Sequence, residues 1–228
     1  MRVTDNLTTI QQMIEASCQR SGRTVEEITL IAVTKYVTIE RTKEVLQAGI
    51  TNIAENRDTG LSEKQVALDD PAISWHFIGQ LQTKKVKKVI NQVDYFHALD
   101  RLSLAEEINK RADKVISCFV QVNVSGEESK AGLPPDELEM FIQQLTAYPK
   151  IKVVGLMTMA PFTDDESILR QVFRRLRELR DQIQAKGYKH APCQGLSMGM
   201  SNDFHIAIEE GATHIRIGSS LVGTDKLR

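Results

Sequence analysis

The chain has 228 residues, 41% of them hydrophobic and 26% charged, with a formal net charge of −1. That is enough sequence for one large α/β unit, and so balanced a charge sets up no field to draw nucleic acid or an anionic membrane. Cys18, Cys118 and Cys193 form an odd set without CxxC or Cys/His ligand spacing, which argues against a disulfide framework or structural zinc and fits reduced thiols in the cytoplasm.

The first twenty residues carry Asp5 and Glu15 and lack an apolar h-region, so they read as an amphipathic helix and not as a targeting peptide. No apolar run approaches the roughly 18 residues needed to span a bilayer. Beyond the helix, short apolar runs alternate with helix-period segments. Strands are expected at 28–34, 51–54, 75–78, 95–99, 116–124, 152–157, 195–198 and 213–217. Helices are expected between them at 39–48, 58–68, 83–93, 102–113, 135–147, 164–186 and 201–210. Gly49, Gly187 and Gly211 stand where helices should stop, and Thr38, Ser103 and Ser201 where a hydroxyl could start one. Such alternation implies parallel strands joined by right-handed crossovers. Eight alternations favour a closed (β/α)8 barrel over a doubly wound sheet, in one domain spanning 1–228.

In such a barrel the chemistry sits at the C-terminal ends of the strands. Lys35 closes the run ITLIAVTK, so its stem should lie among apolar side chains with its amine at the mouth, where burial would favour the neutral nucleophile. The same lysine also fits a strand-end residue that snorkels to water. Tyr36, its neighbour, should point away from the interior if strand alternation continues. Near the end, Ser197–Met198–Gly199–Met200–Ser201 reads as a flexible loop ahead of a helix, and Gly218–Ser219–Ser220 follows the last strand. Barrels bind phosphate between these two loops, with Arg216 between them; either loop alone could be an ordinary turn. Asn56 follows the second strand and suits either a ligand hydrogen bond or a helix cap. His76, within the third strand, fits a packed core histidine better than a catalytic one.

Other features are bland. Lys84, Lys85, Lys87 and Lys88 make a basic face without interleaved aromatics, so they read as solvated and not as a nucleic-acid site. Arg170, Arg174, Arg175, Arg177 and Arg180 alternate with Leu169, Val172, Phe173, Leu176 and Leu179 on an outer amphipathic helix. The five histidines have neither HxxxH nor HExxH spacing, which speaks against a metal site.

The blocks IAVTK, AENR, HFIGQLQ, VNVSGEESKAG, GLMTMAP, LSMGMSNDFHIAI and GATHIRIGSS cover nearly the whole length, and with them the chain resembles the pyridoxal phosphate homeostasis protein family. The resemblance implies a barrel like the N-terminal domain of alanine racemase, of fold-type III, holding pyridoxal 5′-phosphate (PLP) as a Schiff base on Lys35. It assigns Ser201, Gly218 and Ser219 to the phosphate, Arg216 to the pyridine nitrogen and Asn56 to the neighbourhood of the ring. Ala54 and Lys84 depart from the family, which usually has Gly and often Asn there. The implied role is intracellular vitamin B6 homeostasis and amino-acid/keto-acid balance in a cytoplasmic monomer, with apo PLP-dependent enzymes as recipients. Efficient catalysis is not expected. An arginine only donates hydrogen bonds, so it weakens the ring as an electron sink. Racemisation also needs a second base, which barrel racemases take from an additional β domain that 228 residues leave no room for. An amino-acid racemase or other fold-type III PLP enzyme is the alternative, with an aldolase-like barrel acting directly on a phosphorylated substrate as a more remote one.

Overall fold

The computed structural model describes residues 2–127 and 130–223; Glu128 and Ser129 of the VNVSGEESKAG block lie outside the described residues. Eight parallel strands close a barrel in chain order: β1 Thr29–Val33, β2 Asn52–Glu55, β3 Ser74–Phe77, β4 Tyr95–Leu99, β5 Ile116–Gln121, β6 Ile151–Met157, β7 Gly195–Met200 and β8 His214–Ile217. β8 pairs back onto β1, from Thr29 opposite His214 to Ala32 opposite Ile217. Each strand lies between helices and barrel interior, so apolar runs mark them better than alternation does. That is why all eight were legible.

The surrounding helices are α1 Val3–Ser21, α2 Ile39–Gln47, α3 Asp58–Leu68, α4 Val86–Val89, α5 Leu102–Arg111, α6 Leu138–Gln144, α7 Glu166–Ala185, α8 Phe204–Glu209 and α9 Ser219–Val222. α7 buries Leu169, Val172, Phe173, Leu176, Leu179 and Ile183 as one stripe. From its other face Arg170 reaches Glu209, the last residue of α8, and Arg174 reaches Glu210 just beyond it. α1 buries Val3, Leu7, Ile10, Ile14 and Cys18 against α8 and α9. There Asn6 Nδ2 donates to the Leu221 carbonyl at 2.8 Å, tying the chain's start to its end.

Several expected boundaries are corrected. The 83–93 helix is a single α turn between 3₁₀ turns at Thr83–Lys85 and Ile90–Gln92. Its four lysines crowd like charge while Val86, Val89, Ile90 and Val93 resist the α conformation. The 135–147 helix is likewise flanked by 3₁₀ turns, Pro135–Glu137 and Leu145–Ala147. Thr38 does cap its helix, accepting from Arg41 N at 3.2 Å, whereas Ser103 lies inside α5 behind an N-cap at Arg101. The 195–198 strand runs on to Met200, so 197–201 is mostly strand and not a loop. A register shift between Ser197 and Met200 accommodates it. Gly199 has φ 90°, and a Cβ there would lie 2.6 Å from that of Ala207, so only glycine lets α8 approach this close. α8 starts at Phe204, and α9 was not anticipated at all.

Candidate functional site

Lys35 is not on a strand. β1 ends at Val33, and the chain turns at Lys35–Tyr36, with Tyr36 at φ 69° and Val37 N donating to the Thr34 carbonyl at 3.2 Å. Both side chains are exposed. The expected burial of the lysine stem is therefore corrected: the amine stands clear of the core at the barrel mouth. Strand alternation likewise does not govern Tyr36. Its ring lies 5.7 Å from Lys35 Nζ and 5.2 Å from the Arg57 guanidinium. Asn56 Nδ2 donates to its hydroxyl at 3.5 Å, and this bond, with Arg57 beside it, holds the phenol below the usual tyrosine range.

A buried ion pair fixes the residue before Lys35. Lys64 Nζ on α3 donates to Glu55 Oε1 at 2.6 Å and to the Thr34 carbonyl at 2.6 Å, while Thr34 Oγ1 donates to Glu55 at 2.7 Å. Thr34 N also donates to the Ala54 carbonyl at 3.0 Å. The pair's side chains are only 6% and 3% exposed. Sequence reasoning missed this network, because a helical lysine nine residues from a strand-end glutamate carries no local signature. A buried pair gives strong destabilisation when one partner alone is removed. Lys64→Met is expected to lower unfolding stability by about 3–5 kcal/mol, with most of it recovered in Glu55→Gln/Lys64→Met. Urea unfolding measures both, and a loss below about 1 kcal/mol would show the pair to be dispensable.

The structure brings Lys35, Asn56, Ser201, Arg216, Gly218 and Ser219 together around one cavity of about 550 Å³ at the C-terminal ends of the strands. Gln80, Gln121, Lys130 and Asp203 also line it, with Met157, Met159, Phe162 and Met200 as an apolar wall. Ser201 does not start α8, as expected from sequence; its hydroxyl instead accepts from Gly218 N at 3.3 Å and Ser220 N at 3.4 Å. Hydroxyls and backbone N–H groups, two of them now donating to Ser201 Oγ, thus meet at the corner between β7 and β8, a donor set that suits a phosphate. Asp203, missed in the sequence, anchors the corner by accepting from Met200 N at 2.6 Å. Burial pushes its carboxyl above the ordinary range.

Arg216 is 4% exposed. Its Nη1 donates to Ser197 Oγ at 2.6 Å and its Nη2 to the Thr158 carbonyl at 3.0 Å. Burial pushes its pKa down to about 10, which leaves it charged at neutral pH. Its hydrogen-bond acceptors among the described residues are neutral, with the Asp203 carboxyl favouring its charge through space, and its further N–H groups suit an acceptor in the cavity. Asn56 supplies the converse. It does not cap α3, whose N-cap position is Arg57, and its Oδ1 is buried without a hydrogen-bond partner. A ligand N–H or O–H would satisfy that oxygen. The backbone presses close here as well, since a Cβ on Gly79 would lie 2.5 Å from the Asn56 carbonyl oxygen. An amine, a corner of hydroxyls and N–H groups, a buried guanidinium and an orphan acceptor around one cavity fit PLP.

His76 is buried inside the barrel as a packed residue. Of the basic face, Lys85 pairs with Asp58 at 2.8 Å. Among the described residues no group of three or more His, Cys, Asp or Glu is placed to hold a metal, and no helix is long and apolar enough to cross a membrane.

The family model of the alanine racemase N-terminal domain matches residues 6–226. The pyridoxal phosphate homeostasis protein of Aquifex aeolicus is 42% identical, covering 99% of this chain and 100% of that one. PipY of Synechococcus elongatus PCC7942, solved with PLP bound, superposes with a TM-score of 0.85 at 28% identity over 97% of this chain and 100% of its own. An alanine racemase of Clostridium difficile 630 superposes with a TM-score of 0.76 at 16% identity, a likeness of fold, and this chain covers 59% of it. With its full-length match to homeostasis proteins and its closed racemase-like barrel, the chain belongs to the pyridoxal phosphate homeostasis proteins of the alanine racemase N-terminal domain family.

Proposed function

We propose that this chain binds PLP in the cavity at the mouth of the barrel and serves PLP homeostasis, with the cofactor held as a Schiff base on Lys35. Residues 1–228 act as one PLP-binding barrel. Ser201, Gly218 and Ser219 hold the phosphate, Arg216 faces the pyridine nitrogen and Asn56 lies beside the ring. The observation that carries this reading is the meeting, around one cavity, of an accessible amine and a corner of hydroxyls and backbone N–H groups. The names of the relatives and the PLP in PipY support it. The protein works in the cytoplasm as a monomer, passes PLP to apo PLP-dependent enzymes and so bears on amino-acid and keto-acid balance. Borohydride treatment of the PLP-loaded protein, followed by peptide mapping, tests the attachment directly.

PLP supplies an electron sink when its ring nitrogen is protonated. Arg216 carries its own proton at neutral pH and offers only donors, so a ring nitrogen facing it stays unprotonated. The weaker electron sink favours a carrier over an efficient enzyme. α-Proton exchange of alanine in heavy water, with chiral analysis of the product, should stay near background. Rapid exchange with D-alanine formation, both lost in Lys35→Ala, would establish a racemase instead.

A further inference from the structure

Inside the barrel, below the cavity, a row of buried polar side chains continues from Arg216. Its Nη1 donates to Ser197 Oγ at 2.6 Å, Ser197 Oγ lies 2.8 Å from His97 Nδ1, and His97 Nε2 lies 2.8 Å from His76 Nδ1. His76 Nε2 in turn meets Asn52 Oδ1 at 3.1 Å, at the start of β2. Five strands contribute: β8, β7, β4, β3 and, at the end, β2. The imidazoles are also clamped by rings, His76 stacked on Tyr95 at 4.6 Å and His97 on Phe119 at 4.4 Å. Burial pushes the pKa of His76 down to about 3 and that of His97 well below its ordinary value, so both rings are neutral.

In a neutral imidazole one nitrogen donates and the other accepts, so the ends of the row settle its direction. Asn52 Oδ1 accepts only, which makes His76 Nε2 a donor and His76 Nδ1 an acceptor. His97 Nε2 must then donate, leaving His97 Nδ1 to accept from the Ser197 hydroxyl. Ser197 Oγ is thereby free to accept from Arg216, whose guanidinium has nothing but donors. Every proton in the row has one place to go. In the opposite direction His76 Nε2 would turn an unprotonated nitrogen toward Asn52 Oδ1, acceptor against acceptor, and the serine proton would have no acceptor in the row.

We propose that Ser197, His97, His76 and Asn52 form a one-way hydrogen-bonded tether that positions Arg216 in the cavity wall. They are positioning residues, since they act on a ligand only through the guanidinium. The tether is not a proton wire: passing a proton along it would require the arginine to give one up. Its use is to hold a buried cation in a single orientation with its remaining donors facing the cavity, so that a ring acceptor meets a partner already in place. The consequence for the cofactor rests on the PLP reading above; the direction of the tether does not.

The test has two arms. Nitrogen-15 NMR of the histidine-labelled, unliganded protein should show His76 and His97 as neutral Nε2–H tautomers, assigned with His76→Phe and His97→Phe. An Nδ1–H tautomer or a charged ring at either position would overturn the tether. In the second arm the PLP-loaded protein is compared with Ser197→Ala, which cuts the tether next to Arg216, and Asn52→Leu, which removes its last acceptor outside the cavity. Ser197→Ala should release PLP about tenfold faster, the scale of one lost charge-assisted hydrogen bond, with a shifted visible band. Asn52→Leu should change the same readouts in the same direction, by about twofold to threefold, and Asn52→Asp, which keeps the acceptor, should not. Unchanged release and spectrum in both Ser197→Ala and Asn52→Leu would overturn the positioning role. If wild-type protein takes up no PLP, the functional reading fails while the tautomers still decide the tether.

Discussion

Replacing Lys35 by alanine should abolish covalent attachment of PLP and leave the barrel folded. The lysine lies on a turn beyond β1, its side chain is exposed, and the contact the structure shows for its amine is the Tyr36 ring at 5.7 Å. Truncating such a side chain should change stability by no more than about 0.5 kcal/mol. The turn itself is held by backbone and by the Glu55–Lys64–Thr34 network, none of which the substitution touches. In wild type, borohydride should fix the pyridoxyl group on the peptide carrying Lys35; in the variant that yield should fall at least ~100-fold, because the attacking amine is gone. Non-covalent binding through the phosphate corner should persist, visible as PLP that dialyses away. Lys130 is a second amine on the cavity wall, paired with Glu127 at 2.8 Å. A pyridoxyl group mapped to Lys130, or unchanged labelling in the variant, would show the assignment of Lys35 to be wrong.

Much of the barrel was legible because it rests on local patterns. Parallel strands buried on both sides leave apolar runs such as ITLIAV, and helices such as α7 leave an amphipathic stripe. The meeting of Ser201 with the Gly218–Ser219 turn was legible for a topological reason, since they stand at the C-terminal ends of the seventh and eighth strands, although 197–200 belongs to β7 itself and not to a loop. Local signals failed where a residue's environment depends on distant chain. Lys35 was read as the end of a strand, but β1 stops two residues earlier and a left-handed Tyr36 turns the chain outward. Ser201 resembles a helix cap in sequence, yet its partners are Gly218 and Ser220, brought next to it by the pairing of β7 and β8. The tether is hardest to foresee. His97 and Ser197 are a hundred positions apart and meet only because the barrel closes. Spacing rules for metals or catalytic pairs look along the chain, and this row runs across it.

Removing the phosphate should weaken binding more than any single change to the ring. The corner between β7 and β8 gathers the hydroxyls of Ser201 and Ser219 and the backbone N–H groups of the turn after β8, two of which already point at Ser201 Oγ. Hydrogen bonds to a charged group contribute about 1.5–3 kcal/mol each, so even two net contacts make a difference of about 3–6 kcal/mol. Each 1.4 kcal/mol is about a factor of ten in the binding constant. Pyridoxal, which keeps the aldehyde and the ring, should therefore bind at least ~100-fold more weakly than PLP. The ring's own partners offer less, because Arg216 is already shared with Ser197 and the Thr158 carbonyl. Titrating apo-protein with the two compounds, by absorbance and by calorimetry, gives the ratio. The same ratio in Lys35→Ala separates the corner from the covalent bond: it should stay large there, since the phosphate contacts do not involve the lysine. It should shrink in Ser201→Ala, which removes the hydroxyl at the centre of the corner. Equal affinities for pyridoxal and PLP, in wild type or in Lys35→Ala, would mean that the phosphate does not bind between these two turns.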